Sequence, residues 1–273
     1  MAERNAIDAS NYLPLLSLAF QVGQSIKGLL TRDPRWPDCQ QLALKLCMHS
    51  ASIYSLRRGT RIPLPEAGVN TEFYDLTSVA VLARACLDTF LKLFHVFFAP
   101  TDDDDFEFRY TSWKLAGEVV REGYVPTDPS LLEPYNVSQE NIRHLRSRLE
   151  STREFGVLTD HQKKQVLRGK GEPRWSAIAR EAGFGEETIR RWRAYHSGHV
   201  HADGLSGSQV VGSPSGDSQI EYIEREMGFV MIVLSKFICL YAEKWPAAGE
   251  ECRRHADVYA LARSLAGMAR LLP

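Results

Sequence analysis

The chain has 273 residues, 44% hydrophobic and 25% charged, a globular composition long enough for a sizeable core. Its formal net charge of -1 excludes a global electrostatic pull toward nucleic acid or membrane, so any basic partner-binding patch must be local. Five scattered cysteines, Cys39, Cys47, Cys86, Cys239 and Cys252, form no Cys-x-x-Cys pair; neither a zinc site nor a disulfide framework is expected, and a reducing cytoplasm is the simplest setting.

Residues Met1 to Tyr12 lack the basic flank and apolar stretch of a signal peptide. Helix-period leucines run from Tyr12 to about Leu30 and are broken by Thr31 to Pro37. A second helix is predicted from Asp38 to Arg57, followed by a loop from Arg58 to Val69 punctuated by Gly59, Pro63, Pro65 and Gly68. The strongest helix runs from Asn70 to Phe98 and ends at Pro100. The acidic run Asp102 to Asp105 reads as a solvated connector.

Further amphipathic helices are predicted over Phe106 to Glu122 and Ser138 to Arg153. Residues His161 to Arg193 are locally basic, with nine Lys/Arg against four Glu. The run Gly204 to Gly216 is rich in glycine and serine and reads as a loop. Helices from Gln219 to Lys244 and Glu250 to Leu271 close the chain. Leu76 to Phe98 carries Arg84, Asp88, Lys92 and His95, and Met227 to Ala242 is short and interrupted by Lys236. A membrane-spanning helix needs about 20 nearly uncharged residues, so both segments are expected to be core helices, with no membrane contact. With no period-2 strand, the expectation is an all-α fold, a single multi-helix domain over 1–273.

Three constellations bear on chemistry. On the central helix, Arg84, Asp88, Lys92 and His95 fall within about 80° of one another, a polar stripe on an otherwise apolar element. Such a stripe is either an intrahelical Arg84–Asp88 pair or the wall of a cleft. In a dry cleft, Arg84→Ala would leave Asp88 unpaired and cost stability.

The second constellation is Arg190 to Gly204, which holds three of the eight histidines, His196, His199 and His201, beside Arg190, Arg191 and Arg193. On a continuous helix Arg190, Arg193, Ser197 and His201 share one face. Histidine for proton transfer and arginine for developing phosphorane charge suit metal-independent RNA cleavage, where the ribose 2′-hydroxyl is the nucleophile. Two other readings fit the same residues. His199-x-His201-x-Asp203 is similar to the metal-binding motif of metallo-β-lactamase-fold hydrolases, although helix rather than strand precedes it here. Alternatively, the histidines stabilise the C-terminal dipole of a helix.

Third, Trp175 to Trp192 resembles the helix-turn-helix of bacterial regulators. Ala179 would lie under the turn, Gly183 at the turn and Ile189 in the core, with Leu158 to Leu167 as the supporting helix. Under that resemblance Lys163, Lys164, Arg168, Arg190 and Arg191 would contact the phosphates of duplex DNA. No linker precedes Trp175, so residues 158–193 are expected to pack on the main body.

Arg84 and Asp88 on an apolar helix, followed by Tyr195, Ser197 and His201 on a later one, resemble the HEPN group of helical proteins. The HEPN hallmark is Arg, four to six residues, then His; Arg193 to His199, Arg191 to His196 and Arg190 to His196 each match it. Ala194 stands where a polar residue commonly follows the motif arginine, and Asp88 where glutamate is more frequent. The resemblance implies a HEPN-like helical bundle over 70–245 with peripheral helices. It also implies a metal-independent endoribonuclease without cofactor, acting on RNA as a bacterial toxin or phage-defence effector. Arg193, His199, His201, Ser197, Arg84 and Asp88 would be its catalytic residues, in a homodimer or as a subunit of a larger complex. A catalytically silent helical interaction subunit is the remaining alternative.

Overall fold

The computed structural model describes residues 8–28, 33–64, 69–201 and 216–270, with the backbone alone at 61–64, 69–72, 200, 201, 216 and 217. Among the described residues the helices are α1 (Tyr12–Ser25), α2 (Trp36–Leu56), α3 (Leu76–Leu93), α4 (Asp103–Glu118), α5 (Leu132–Glu150), α6 (Arg153–Gly156), α7 (Asp160–Leu167), α8 (Trp175–Glu181), α9 (Glu186–His201), α10 (Gly216–Lys244), α11 (Pro246–Arg254) and α12 (Ala256–Met268). The fold is all-α, as the hydrophobic period implies. No described helix is long and apolar enough to cross a membrane.

One element departs from the predicted loop after α2 and from the predicted helix start at Asn70, since that helix begins at Leu76. Strands β1 (Thr60–Leu64) and β2 (Val69–Phe73) form an antiparallel hairpin in the register Thr60↔Phe73 to Leu64↔Val69. Proline, read above as punctuation, is compatible with a two-stranded ribbon because both strands are edges, where a missing N–H is tolerated. Gly59, at a φ of 81°, turns the chain out of α2.

Contacts divide the chain into two compact units, Met1–Leu93 with Ala179–Pro273, and Phe94–Ile178. Both boundaries fall within helix. One lies where α3 passes into the π-helical turn Phe94–Phe98, and the other lies inside α8.

In the first unit α3 and α10 occupy the centre, packed on each other, α3 also on α2 and α10 also on α1 and α12. The cause is their near all-round apolar sequence. On α3, Val79, Ala83, Leu87, Phe90 and Leu91 are fully buried; on α10, Met227 and the run Val230–Leu234 are fully buried. Each large apolar side chain among them contributes about 1.5–3 kcal/mol. Tyr12 on α1 is buried and donates its hydroxyl to Ser50 O at 2.9 Å. All five thiols are free, and burial pushes Cys39, Cys47 and Cys86 up to about 12, so these three are packing groups, not nucleophiles.

The second unit has its own core of Leu115, Ile142, Leu145, Leu149, Phe155 and Val166. Its start corrects the reading of Asp102 to Asp105 as a mere solvated run. Asp102 caps α4 by accepting from Asp105 N at 2.9 Å, and Arg153 donates to it at 2.8 Å. Asp105 sits nearly buried, 2.7 Å from Arg109 Nε and 3.0 Å from Thr101 N. Arg109 also reaches His95 Nδ1 at 3.1 Å. A guanidinium only donates, so this nitrogen is the bare acceptor of a neutral ring.

The Asp105 pair carries a pH prediction. Burial raises the carboxyl, but Arg109 and Thr101 outweigh it and hold it below the ordinary range. A folded pKa below the unfolded value of about 3.9 contributes stability above that pH. That contribution disappears as pH falls through the folded value. Asp105→Asn should therefore flatten the acid limb of a plot of unfolding free energy against pH from about 5 to 2. An unchanged slope would show that the pair contributes nothing.

Candidate functional site

The site is built on α9, and the turn that launches α9 is set by one glycine. Gly183 stands at a φ of 81°. Its N–H bonds Arg180 O and Phe184 N–H bonds Ala179 O, both at 2.9 Å, the paired bonds of a Schellman motif. Ala179 and Ile189 are buried on either side of the turn, in the places the helix-turn-helix resemblance assigns them. Gly183→Ala is expected to cost roughly 1–2 kcal/mol, because a Cβ in the left-handed region meets the following carbonyl; chemical denaturation measures it, and a neutral effect would rule out strain at the turn.

Glu186 and Glu187 occupy the first turn of α9, where acidic groups complement the helix dipole. Glu187 also binds the two arginines assigned to phosphate. Arg190 Nη2 lies 2.7 Å and Arg191 Nε 2.6 Å from its Oε1, and together they hold its carboxyl down to about 2. The predicted DNA-contacting charge is thus answered within its own helix turn. In the second unit, Lys164 and Arg168 are exposed at the end of α7, and Lys163 Nζ lies 5.6 Å above the Phe155 ring. The five residues assigned to nucleic acid are therefore divided between the two units.

Further along α9 the polar stripe of α3 finds its partner. Arg193 Nε donates to Asp88 Oδ1 at 3.1 Å, and Arg84 Nε lies 3.4 Å from Asp88 Oδ2. Two guanidiniums from two helices thus share one carboxylate. The site is not dry: the side chains of Arg84, Asp88 and Arg193 are 18%, 29% and 22% exposed. Arg84 Nη1 is buried and has no hydrogen-bond partner among the described residues. Ser197, one turn beyond Arg193, is half-buried. The side chain of His201, at the end of α9, lies outside the described residues, as does Asp203.

The other two histidines are inside. His196 is fully buried, with Nδ1 2.6 Å from Trp192 O and Nε2 2.7 Å from Glu226 Oε2 on α10. A carbonyl only accepts, so Nδ1 carries hydrogen. One further proton therefore lies between Nε2 and the nearly buried Glu226, and the pair is neutral overall whichever atom holds it. The ring packs on Trp192 at 3.8 Å, and Trp192 in turn stacks on Phe229 at 3.9 Å. His199 is buried with its ring 5.3 Å from that of Tyr195, whose hydroxyl donates to Tyr222 at 3.4 Å.

These positions sort the three Arg-to-His matches. Arg190 and Arg191 are exposed on Glu187 while His196 is wholly buried on Glu226, so neither arginine shares a site with that histidine. Arg193 turns to Asp88, whereas His199 packs on Tyr195. The metal-binding reading of His199-x-His201-x-Asp203 falls partly outside the described residues, and the backbone is helical through His201.

The residue that sequence reasoning passed over is Glu226. Its signal was present: it replaces an apolar residue in the stripe Ile223, Val230, Val233 and Phe237, all fully buried. No protein-family model, curated protein or solved structure matches this chain.

Proposed function

We propose that this chain is a HEPN-like, nucleic-acid-acting effector, a metal-independent endoribonuclease of the bacterial cytoplasm serving a toxin or phage-defence system. The supporting observation is the cluster of Arg84 and Arg193 around Asp88. It is partly open to solvent, sets two guanidiniums on one carboxylate, and contains an Arg84 nitrogen without a hydrogen-bond partner among the described residues. A phosphodiester supplies the oxygens that such a fork binds.

In this reading the 2′-hydroxyl of a bound RNA attacks the adjacent phosphorus and a base takes its proton. The P–O5′ bond breaks, an acid protonates the leaving oxygen, and a 2′,3′-cyclic phosphate remains. Arg84 and Arg193 stabilise the charge on the equatorial oxygens. Proton transfer falls to His201, which follows Arg193 and Ser197 at four-residue spacing along α9. His196 and His199 are buried, and they position the helix through Glu226 and Tyr195. The working form is a homodimer or part of a larger complex.

The test is cleavage of single-stranded RNA by the full chain in the presence of a chelator, with the product termini identified. Cyclic phosphate ends from the parent protein, and their loss in His201→Ala at an unchanged melting temperature, are the expected results. An absence of cleavage by the parent protein and its complexes overturns the reading. A second reading, as a regulator of duplex DNA, is favoured by the Schellman turn at Gly183. It requires salt-steep duplex binding that is lost on substituting Arg190 and Arg191.

A further inference from the structure

A cavity of about 440 Å³ lies in the first unit, lined by α10, α12 and the turn before α9. That is the size of a small-molecule site. Its charge is one-sided: Lys236, Arg263 and Arg270 line it with Glu243 as the single carboxylate among the described lining residues. None of the three cations forms an ion pair among the described residues. They also converge. A methyl group placed on Gly183 would stand 2.9 Å from Lys236 Nζ and 3.8 Å from Arg270 Nε, so an ammonium and a guanidinium meet beside the same backbone atom. Tyr259 adds an aromatic wall.

We propose that this cavity is a binding site for a phosphomonoester of mononucleotide size, with the phosphate between Lys236, Arg270 and Arg263 and the organic body against Tyr259. Like charges held together at a partly desolvated wall are unfavourable by themselves. A phosphate of charge about -1.5 to -2 offsets the surplus and offers oxygens to both guanidinium forks. Consistent with this, burial and then the nearby Arg270 hold the Lys236 ammonium below the ordinary lysine range. The cavity is far larger than an orthophosphate ion, which is why the ligand carries an organic body. Glycine at position 183 keeps a side chain out of the place where the cations meet. This site is separate from the cluster on Asp88 and does not depend on RNA cleavage.

Isothermal titration of the full chain with adenosine 5′-monophosphate, inorganic phosphate and adenosine tests the proposal. The monophosphate should bind, with phosphate and adenosine each at least about tenfold weaker. Arg263→Gln and Arg270→Gln should each weaken it by roughly tenfold or more, the loss of a charge-assisted contact. Both side chains are at exposed positions and each substitution removes a like charge, so unliganded melting temperatures should not fall. No binding of the monophosphate, equal binding of adenosine or of phosphate, or full affinity in the Arg263→Gln/Arg270→Gln double variant would each overturn the assignment.

Discussion

Glu226→Ala is expected to lower the unfolding free energy by about 3–5 kcal/mol, the loss typical of removing one partner from a buried charge pair. His196 is fully buried and its Nδ1 hydrogen is committed to Trp192 O, so its Nε2 has nowhere else to turn when the carboxylate at 2.7 Å is removed. Glu226→Gln separates the pair interaction from simple packing. A glutamine amide donates to a bare Nε2, the neutral ring keeps its Nδ1 hydrogen, and the loss should shrink to about 1 kcal/mol. Urea denaturation of the two variants makes the comparison. Equal losses would show that the proton shared by His196 and Glu226 is not what stabilises this part of the core.

Substitution of either arginine around Asp88 should act on activity far more than on stability. Under the proposed endoribonuclease function, Arg193→Ala and Arg84→Ala are each expected to slow RNA cleavage by roughly 10²–10³, the range for removing a donor aimed at transition-state charge. Stability should fall by about 1 kcal/mol or less. The sequence alone suggests a different result for Arg84, an unpaired Asp88 in a dry site. In the structure Asp88 is 29% exposed and retains Arg193 when Arg84 is lost. Arg193→Lys keeps the charge but not the planar fork, and should restore only part of the rate. Cleavage rates measured beside melting temperatures decide the matter: variants that cleave at the parental rate would remove the cluster from the mechanism.

The helical elements were legible because burial on a helix leaves a period that survives in the chain. α3 and α10 announced themselves as core by apolar residues on nearly every face, and both are buried at the centre of the first unit. Gly183 and Ala179 marked the turn before α9 through local backbone chemistry alone. The hairpin over 60–73 was not legible: its prolines and glycines are equally the residues of loops, and pairing depends on a partner strand rather than on local preference.

The same division holds for the candidate site. That Arg84 and Asp88 share a face of α3, and Arg193 and Ser197 a face of α9, follows from 3.6-residue periodicity and was determined by the sequence. Which charges pair was decided only by the tertiary structure. Asp88 takes Arg193 from 105 residues away, His196 takes Glu226 from α10, and Arg190 and Arg191 fold back onto Glu187. Lys236 reads in the chain as an interruption of an apolar helix, and nothing local makes Arg270 its neighbour. Packing of α10 and α12 makes them neighbours beside Gly183. The physical reason is one of range. Local propensity and amphipathic period are set by residues within a turn or two, whereas a charge acquires its meaning from whatever the folded backbone brings within a few ångströms of it.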